Sequence, residues 1–181
     1  MFICAGKSES FSFAKSIGIG LVESALNLSK ICSYEFVDSL IFIGSAGSYN
    51  PQIPLFEIFS STCATQIEAS YVYHQSYTPI DNQIKTESQK VPRETKKSIV
   101  NSSNYIHTNS DFSKKMLDAG IMLENMEFFS VLKVAQDFDI ECCGIFCVTN
   151  YCNENAHQDF LSNHQKAKEI LETYIRKNYF L

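Results

Sequence analysis

Two short runs in the C-terminal half carry the groups best suited to holding a small polar ligand, Met126-Glu127 and Thr149-Asn150. Glu127 is followed by Phe128 and Phe129 in a strongly apolar stretch, Glu124 to Asp137, that reads as a buried helix. A carboxylate in that setting needs partners, because an unpaired charge is costly to bury. Vicinal hydroxyls such as those of a ribose fit, since they donate the hydrogen bonds a carboxylate accepts. Asn150 ends an apolar run from Cys142 to Val148 that reads as a strand buried on both faces. Its amide both donates and accepts, which suits a purine edge. In open α/β sheets ligands bind outside the carboxyl ends of the strands, where this residue falls. A plain helix N-cap is the alternative reading of Asn150.

The elements that would position these groups follow from patterning. The N-terminal Phe2-Ile3-Cys4 reads as a first strand that begins at once. Ser16 to Gly20 is a glycine turn, after which Leu21, Ala25, Leu28 and Cys32 recur at helical spacing, predicting a helix over Leu21 to Ser33. Leu40 to Ile43 is a continuous apolar strand, broken by Gly44-Ser45-Ala46-Gly47. Leu55 to Phe59 and Ala69 to Tyr73 are further strand candidates. Asp81 to Lys97 is polar, holds Pro92 and lacks periodicity, as a mobile loop would. Ile99-Val100 and Tyr105-Ile106 flank a turn. Asp111 to Leu117 reads as a short helix ended by Gly120, and Asn155 to Tyr179 as a long final helix. Strands alternating with helices argue for a sheet sandwiched between helices.

Bulk properties remove several classes. A chain of 181 residues with 45% hydrophobic and 19% charged residues is expected to form one domain over residues 1–181. A net charge of −5 argues against a phosphate-backbone binder, so no nucleic-acid partner is expected. No apolar run reaches transmembrane length, so no membrane partner is expected either. The N-terminus is too short and uncharged for a signal peptide. Seven cysteines, with no CxxC and no zinc-type spacing, suit reduced thiols in a cytoplasmic protein. His157 and His164 lie on nearly one helix face but lack a third ligand, so no metal site is expected. Ile17-Gly18-Ile19-Gly20 lacks the third glycine and the distant acid of a dinucleotide fingerprint.

Taken in order, Ile17-Gly18-Ile19-Gly20, Gly44-Ser45-Ala46-Gly47, Ser103-Asn104-Tyr105-Ile106, Met126-Glu127 and Thr149-Asn150 resemble the motifs of the purine nucleoside phosphorylase and nucleosidase superfamily. The resemblance runs from Ile17 to the final helix. It implies an α/β fold, a three-layer α/β/α sandwich around a mixed, curved sheet. It also implies a purine nucleoside as ligand and a homo-oligomer, dimer or higher, in which neighbours complete the sites. Met126 and Glu127 would hold the ribose, and Tyr105 and Ile106 would cover the base, with the Tyr105 ring stacking on it. Gly44, Ser45, Ala46 and Gly47 would position phosphate or water, since small residues expose backbone N–H groups. Asn150 would stabilise a departing 6-oxopurine, of the inosine or guanosine type, by hydrogen bonding to N7 and O6.

The nucleophile is where the chain departs from the phosphorylase pattern. Phosphorylases carry an arginine two residues before the loop glycine, where this chain has Phe42. The only arginines are Arg93 and Arg176, and a buried phosphate usually takes a guanidinium fork. Hydrolytic members resemble the chain in their Gly-Ser-Ala-Gly loop and in a glutamate just after the first strand, where Glu9 stands and would act as general base on a water. An exposed loop glutamate is the alternative for Glu9. The implied reaction is thus cleavage of the N-glycosidic bond of a purine nucleoside, as a phosphorylase with phosphate as candidate co-substrate and no other cofactor. A phosphate-independent hydrolase of the futalosine type and a non-catalytic nucleoside-binding protein remain the rivals, as does a partner subunit for a longer paralogue.

Overall fold

The computed structural model describes residues 1–180. In chain order the elements are β1 (Phe2–Cys4), β2 (Lys15–Ser16), α1 (Gly20–Tyr34), β3 (Ser39–Ser48), β4 (Ile58–Ser61) and β5 (Cys63–Thr65). There follow α2 (Ala69–Val72), β6 (Gln83–Lys85), β7 (Lys96–Lys97), β8 (Val100–Asn101) and α3 (Ser110–Asp118). The chain closes with β9 (Leu123–Glu124), α4 (Phe128–Asp137), β10 (Glu141–Tyr151) and α5 (Ala156–Tyr179). The strands form one mixed sheet in the order β6-β5-β8-β9-β3-β10-β4-β7, with β1 pairing β3 and then β2. The central pair, β3 and β10, is parallel, whereas β4 runs antiparallel to β10 and β9 antiparallel to β3.

Alternation along the central strands builds three layers. Leu40 and Phe42 of β3 and Cys142 and Phe146 of β10 pack with Leu21 and Leu28 of α1 and Phe128 and Val131 of α4. Ile41, Ile43, Cys143, Ile145 and Cys147 point to the other face, against Ala167, Leu171 and Ile175 of α5. Successive strand residues face opposite sides, so a run apolar at every position must be covered twice. The result is the expected α/β arrangement, a mixed sheet flanked by helices. None of these helices is long and apolar enough to cross a membrane. All seven cysteines are free thiols.

Several local expectations need correction. Gly44 to Gly47 do not break the strand: β3 runs through them to Ser48, hydrogen-bonded to β10 and to β9. Glu124 to Glu127 are not helical. Leu123 and Glu124 form β9, and α4 begins only at Phe128. Ala69 to Tyr73 is a short helix rather than a strand, and the strand expected from Leu55 starts at Ile58. Tyr105 and Ile106 lie outside any strand. The polar segment 81–97 is largely irregular but contributes β6 and β7 to the sheet. Leu181 lies outside the described residues.

Candidate active site

A cavity of about 460 Å³ opens at the carboxyl ends of β1, β3 and β10. Gly6 and Glu9 follow β1, Ser45, Ala46 and Gly47 come from β3, and Asn150 comes from β10. The segment between β9 and α4 supplies Met126 and Glu127, and the first turns of α5 supply His157 and Phe160. Among the described residues that line it there is no lysine or arginine.

Glu9 is held by a tight turn in which its N–H donates to the Gly6 carbonyl at 3.0 Å. Its Oε1 accepts from the Ser45 N–H at 3.1 Å and from the Ser45 hydroxyl. Both donors of Ser45 are therefore turned onto a carboxylate of the chain itself.

Glu127 is 3% exposed and accepts from the Gly20 N–H at 2.9 Å through Oε1. The first N–H groups of a helix have no partner within it. In α1 these donors are met by Glu127 at Gly20 and by Asn104, whose Oδ1 accepts from Leu21 N–H at 2.9 Å. Gly20 has φ +80°, and a Cβ there would lie 2.8 Å from Asn104 Oδ1, so glycine is required on both counts. Burial pushes the Glu127 carboxyl up to about 7; the Gly20 N–H opposes this and the nearby Glu9 charge adds to it.

The chain before α4 is pinned by Asn125. Its Oδ1 accepts from the N–H groups of Glu127 at 3.0 Å and Phe128 at 3.1 Å, while its Nδ2 donates to the Ser45 carbonyl at 3.1 Å. One side chain thus meets the first N–H of α4, orients Glu127 and ties both to β3. Asn150 is set by its neighbour, for the Thr149 hydroxyl donates to Oδ1 at 2.8 Å. Nδ2 donates to the Tyr151 carbonyl at 3.2 Å and retains a second hydrogen. Gly47 lies beside it: a Cβ there would stand 2.8 Å from Cys152 Sγ and 3.1 Å from Asn150 Nδ2.

The structure thus brings Glu9, Ser45, Ala46, Gly47, Met126, Glu127 and Asn150 to one cavity. Gly44, one step back along β3, is not part of its lining. Ile106 lines the mouth, but Tyr105 is 81% exposed and stands outside. Sequence reasoning overlooked Glu124 and Asn125, which also line the cavity. The signal for Glu124 was present: it is an acid directly after Ile121-Met122-Leu123. It is 4% exposed, and its Oε2 accepts from the Tyr49 hydroxyl.

Solved structures with the same architecture include nucleosidases and a futalosine hydrolase. A point mutant of the Helicobacter pylori 5′-methylthioadenosine/S-adenosylhomocysteine nucleosidase, with 5′-methylthioadenosine in its active site, superposes with a TM-score of 0.82 at 16% identity, covering 97% of this chain and 95% of that one. The futalosine hydrolase of H. pylori gives a TM-score of 0.79 at 16% identity, over 97% and 94% of the two chains. The 5′-methylthioadenosine/S-adenosylhomocysteine nucleosidase of Streptococcus pneumoniae gives 0.79 at 13% identity, over 96% and 95%. Comparison with curated protein sequences finds no match. The sequence signature of the Phosphorylase superfamily, in contrast, extends from residue 6, in the turn after β1, to residue 177, near the end of α5, and the protein belongs to that superfamily.

Proposed function

We propose that the protein is a phosphate-independent nucleosidase that hydrolyses the N-glycosidic bond of a purine nucleoside, with a preference for 6-oxopurines. The observation that carries this reading is the Glu9–Ser45 contact inside a cavity lined by no lysine or arginine. A phosphate there would face a carboxylate with no guanidinium to offset it, whereas a water suits that carboxylate as a proton acceptor. Arg93 lies exposed in the segment before β7, and Arg176 pairs with Glu172 on α5. The phosphorylase reading lacks its cation on both counts. Nucleosidases and a hydrolase among the structural neighbours support the same choice.

In this mechanism Glu127 accepts from the ribose hydroxyls and Met126 packs beneath the sugar. The C1′–N bond breaks towards an oxocarbenium-like state, and water adds at C1′ as Glu9 takes its proton. That proton is returned to the departing base through solvent. Asn150 donates to the negative charge developing on the purine, a term that grows only as the bond breaks. The seven free thiols support a reducing, cytoplasmic setting, and the protein is proposed to act as a homo-oligomer.

The test is release of free base from inosine, guanosine, adenosine and futalosine, with and without phosphate. Release without phosphate, giving free sugar, is expected, and Glu9→Gln should lower it by roughly 10²–10⁴-fold. Phosphate-dependent release giving ribose 1-phosphate would establish a phosphorylase instead. No release from any nucleoside, with saturable binding, would favour the non-catalytic reading. Unchanged turnover in both Glu127→Ala and Asn150→Ala would remove the site from this cavity.

A further inference from the structure

β10 does not enter the cavity as a regular strand. Its register with β3 steps from Val148 opposite Ala46 to Asn150 opposite Gly47, so Thr149 is a bulged residue with no counterpart there. Its pairing with β4 has already ended at Cys147. Successive side chains of a regular strand face opposite sides, and a bulge breaks that alternation and re-aims a side chain. Here it brings two consecutive side chains together: the Thr149 hydroxyl donates to Asn150 Oδ1 at 2.8 Å. Asn150 Nδ2 donates to the Tyr151 carbonyl, which can only accept, so the orientation of the amide is decided. Its remaining N–H is the donor left for a ligand.

The bulge is clamped from outside the cavity. Thr149 is fully buried, and its carbonyl accepts from Asn163 Nδ2 of α5 at 2.9 Å. That oxygen belongs to the planar peptide unit leading into Asn150, so fixing it fixes the direction from which the Asn150 side chain departs. One residue earlier, the Val148 carbonyl accepts from the Phe56 N–H at 2.7 Å. Phe56 has φ +68°, a left-handed conformation that a bulky residue keeps only where its surroundings over-determine it. Lys166, three residues after Asn163 on α5, stands over the Phe56 ring at 4.3 Å from its centroid. α5 therefore holds both flanks of the bulge. Asn163 itself is not part of the cavity lining.

We infer that Asn163 is a positioning residue for the base site: by holding the Thr149 carbonyl it keeps the bulge in place and the free N–H of Asn150 turned towards the base. This rests on the reading of the cavity as a nucleoside site and adds a residue that lies outside it. A 6-oxopurine presents acceptors at N7 and O6 to that N–H, whereas a 6-aminopurine presents a donor at the exocyclic position. Released from the Thr149 hydroxyl, the amide can turn Oδ1 towards the base as readily as Nδ2. Discrimination between the two classes of purine is then lost before affinity for both.

The experiment is equilibrium binding of hypoxanthine and adenine to the full chain, with base release from inosine and adenosine followed in parallel. Asn163→Leu keeps a similar side-chain volume and removes the donor. It should weaken hypoxanthine binding about 3- to 10-fold, change adenine binding less, and so narrow the ratio between them. In an Asn150→Ala background the same substitution should have no further effect on hypoxanthine affinity, because it acts through Asn150. Thr149→Val removes the hydroxyl with little change of shape and should narrow the ratio too, and Thr149→Ser should restore it. An unchanged ratio in folded Asn163→Leu, or an equal fall in the Asn150→Ala background, would overturn the inference and leave Asn163 a role in the fold alone. Should Asn163→Leu not fold, an unchanged ratio in Thr149→Val would overturn it. A narrowed ratio in the variants, with no base release from either nucleoside by the unaltered protein, would remove the hydrolase reading and leave the role of Asn163 standing. Binding of neither base by the unaltered protein would overturn both.

Discussion

Glu124 and Glu127 stand three residues apart, both nearly buried, and burial pushes each carboxyl up to about 7. Among the described residues no cation bears on either, so both carboxyls prefer to be neutral. The consequence for stability has a definite sign. A carboxyl near 4.5 in the unfolded chain and about 7 in the folded one binds its proton more tightly when folded. Its contribution is complete below about 4.5 and is lost as pH rises to about 7, on the order of 3 kcal/mol per group. Urea unfolding of the unliganded protein should therefore show stability falling from pH 4.5 to 7.5. Glu127→Gln still accepts from the Gly20 N–H but no longer titrates. It should match the unaltered protein at pH 4.5, exceed it at pH 8, and lose turnover. A variant less stable than the unaltered protein at pH 8 would show that Glu127 is held ionised by contacts that outweigh its burial. Stability would then be surrendered at this residue for a carboxylate ready to meet hydroxyls, the usual tension at a binding site.

Among the elements, those specified by their own residues were legible and those specified by neighbours were not. The turn at Gly18 and Gly20 and the apolar spacing after it gave α1, and the continuous apolar runs of β3 and β10 gave the sheet centre and its two covered faces. Glu127 and Asn150 stand out because polar groups in apolar runs call for partners, whereas Met126 is named only through the family resemblance. The segment Glu124 to Glu127 was misread as helix, since an apolar run does not distinguish a short strand from a helix start. The boundary is drawn by Asn125, whose contacts reach both α4 and β3 and so depend on tertiary structure. Gly44 to Gly47 looked like a break because glycine weakens an isolated strand, but here strands on both sides hold it. Glycine on these central strands serves two ends that substitution separates. A Cβ at Gly144 would lie 2.5 Å from the Phe146 ring and 2.6 Å from the Phe128 ring, in the core. Gly144→Ala should cost about 1–3 kcal/mol or more in thermal or urea unfolding while folded molecules keep their turnover. Gly47→Ala instead meets Cys152 and Asn150 at the cavity floor. It should lower turnover and base affinity with a smaller loss of stability. Equal effects of the two on turnover per folded molecule would mean that Gly47 shapes only the fold.

The whole molecule leaves apolar surface where its cavity opens. Val22 is 66% exposed and Leu26 58%, one helical turn apart on α1, and Ile19 begins the same stripe. Ile106 is 51% exposed and Tyr105 81%, in the segment that Asn104 ties to the start of α1. Ile19 and Ile106 also line the cavity, so the stripe is continuous with its mouth. Contiguous exposed apolar surface of this kind marks an interface, and the occupant best matched to the expected homo-oligomer is a second copy of the chain. Charge adds a condition. Each copy carries a net −5, so two copies repel at long range and apolar contact must supply the attraction. Added salt screens the repulsion and leaves the apolar term intact, so association should strengthen from low to moderate ionic strength, opposite to an interface built on ion pairs. Sedimentation velocity should show a dimer or higher species, and Val22→Glu with Leu26→Glu should dissociate it. If the second copy roofs the cavity, the dissociated variant should show a raised KM for nucleosides while Glu9 and Asn150 remain in place. A monomer at every salt concentration, with normal KM, would instead mean that each cavity works alone. The exposed Tyr105 ring would then have to fold inward from its own chain to cover a base.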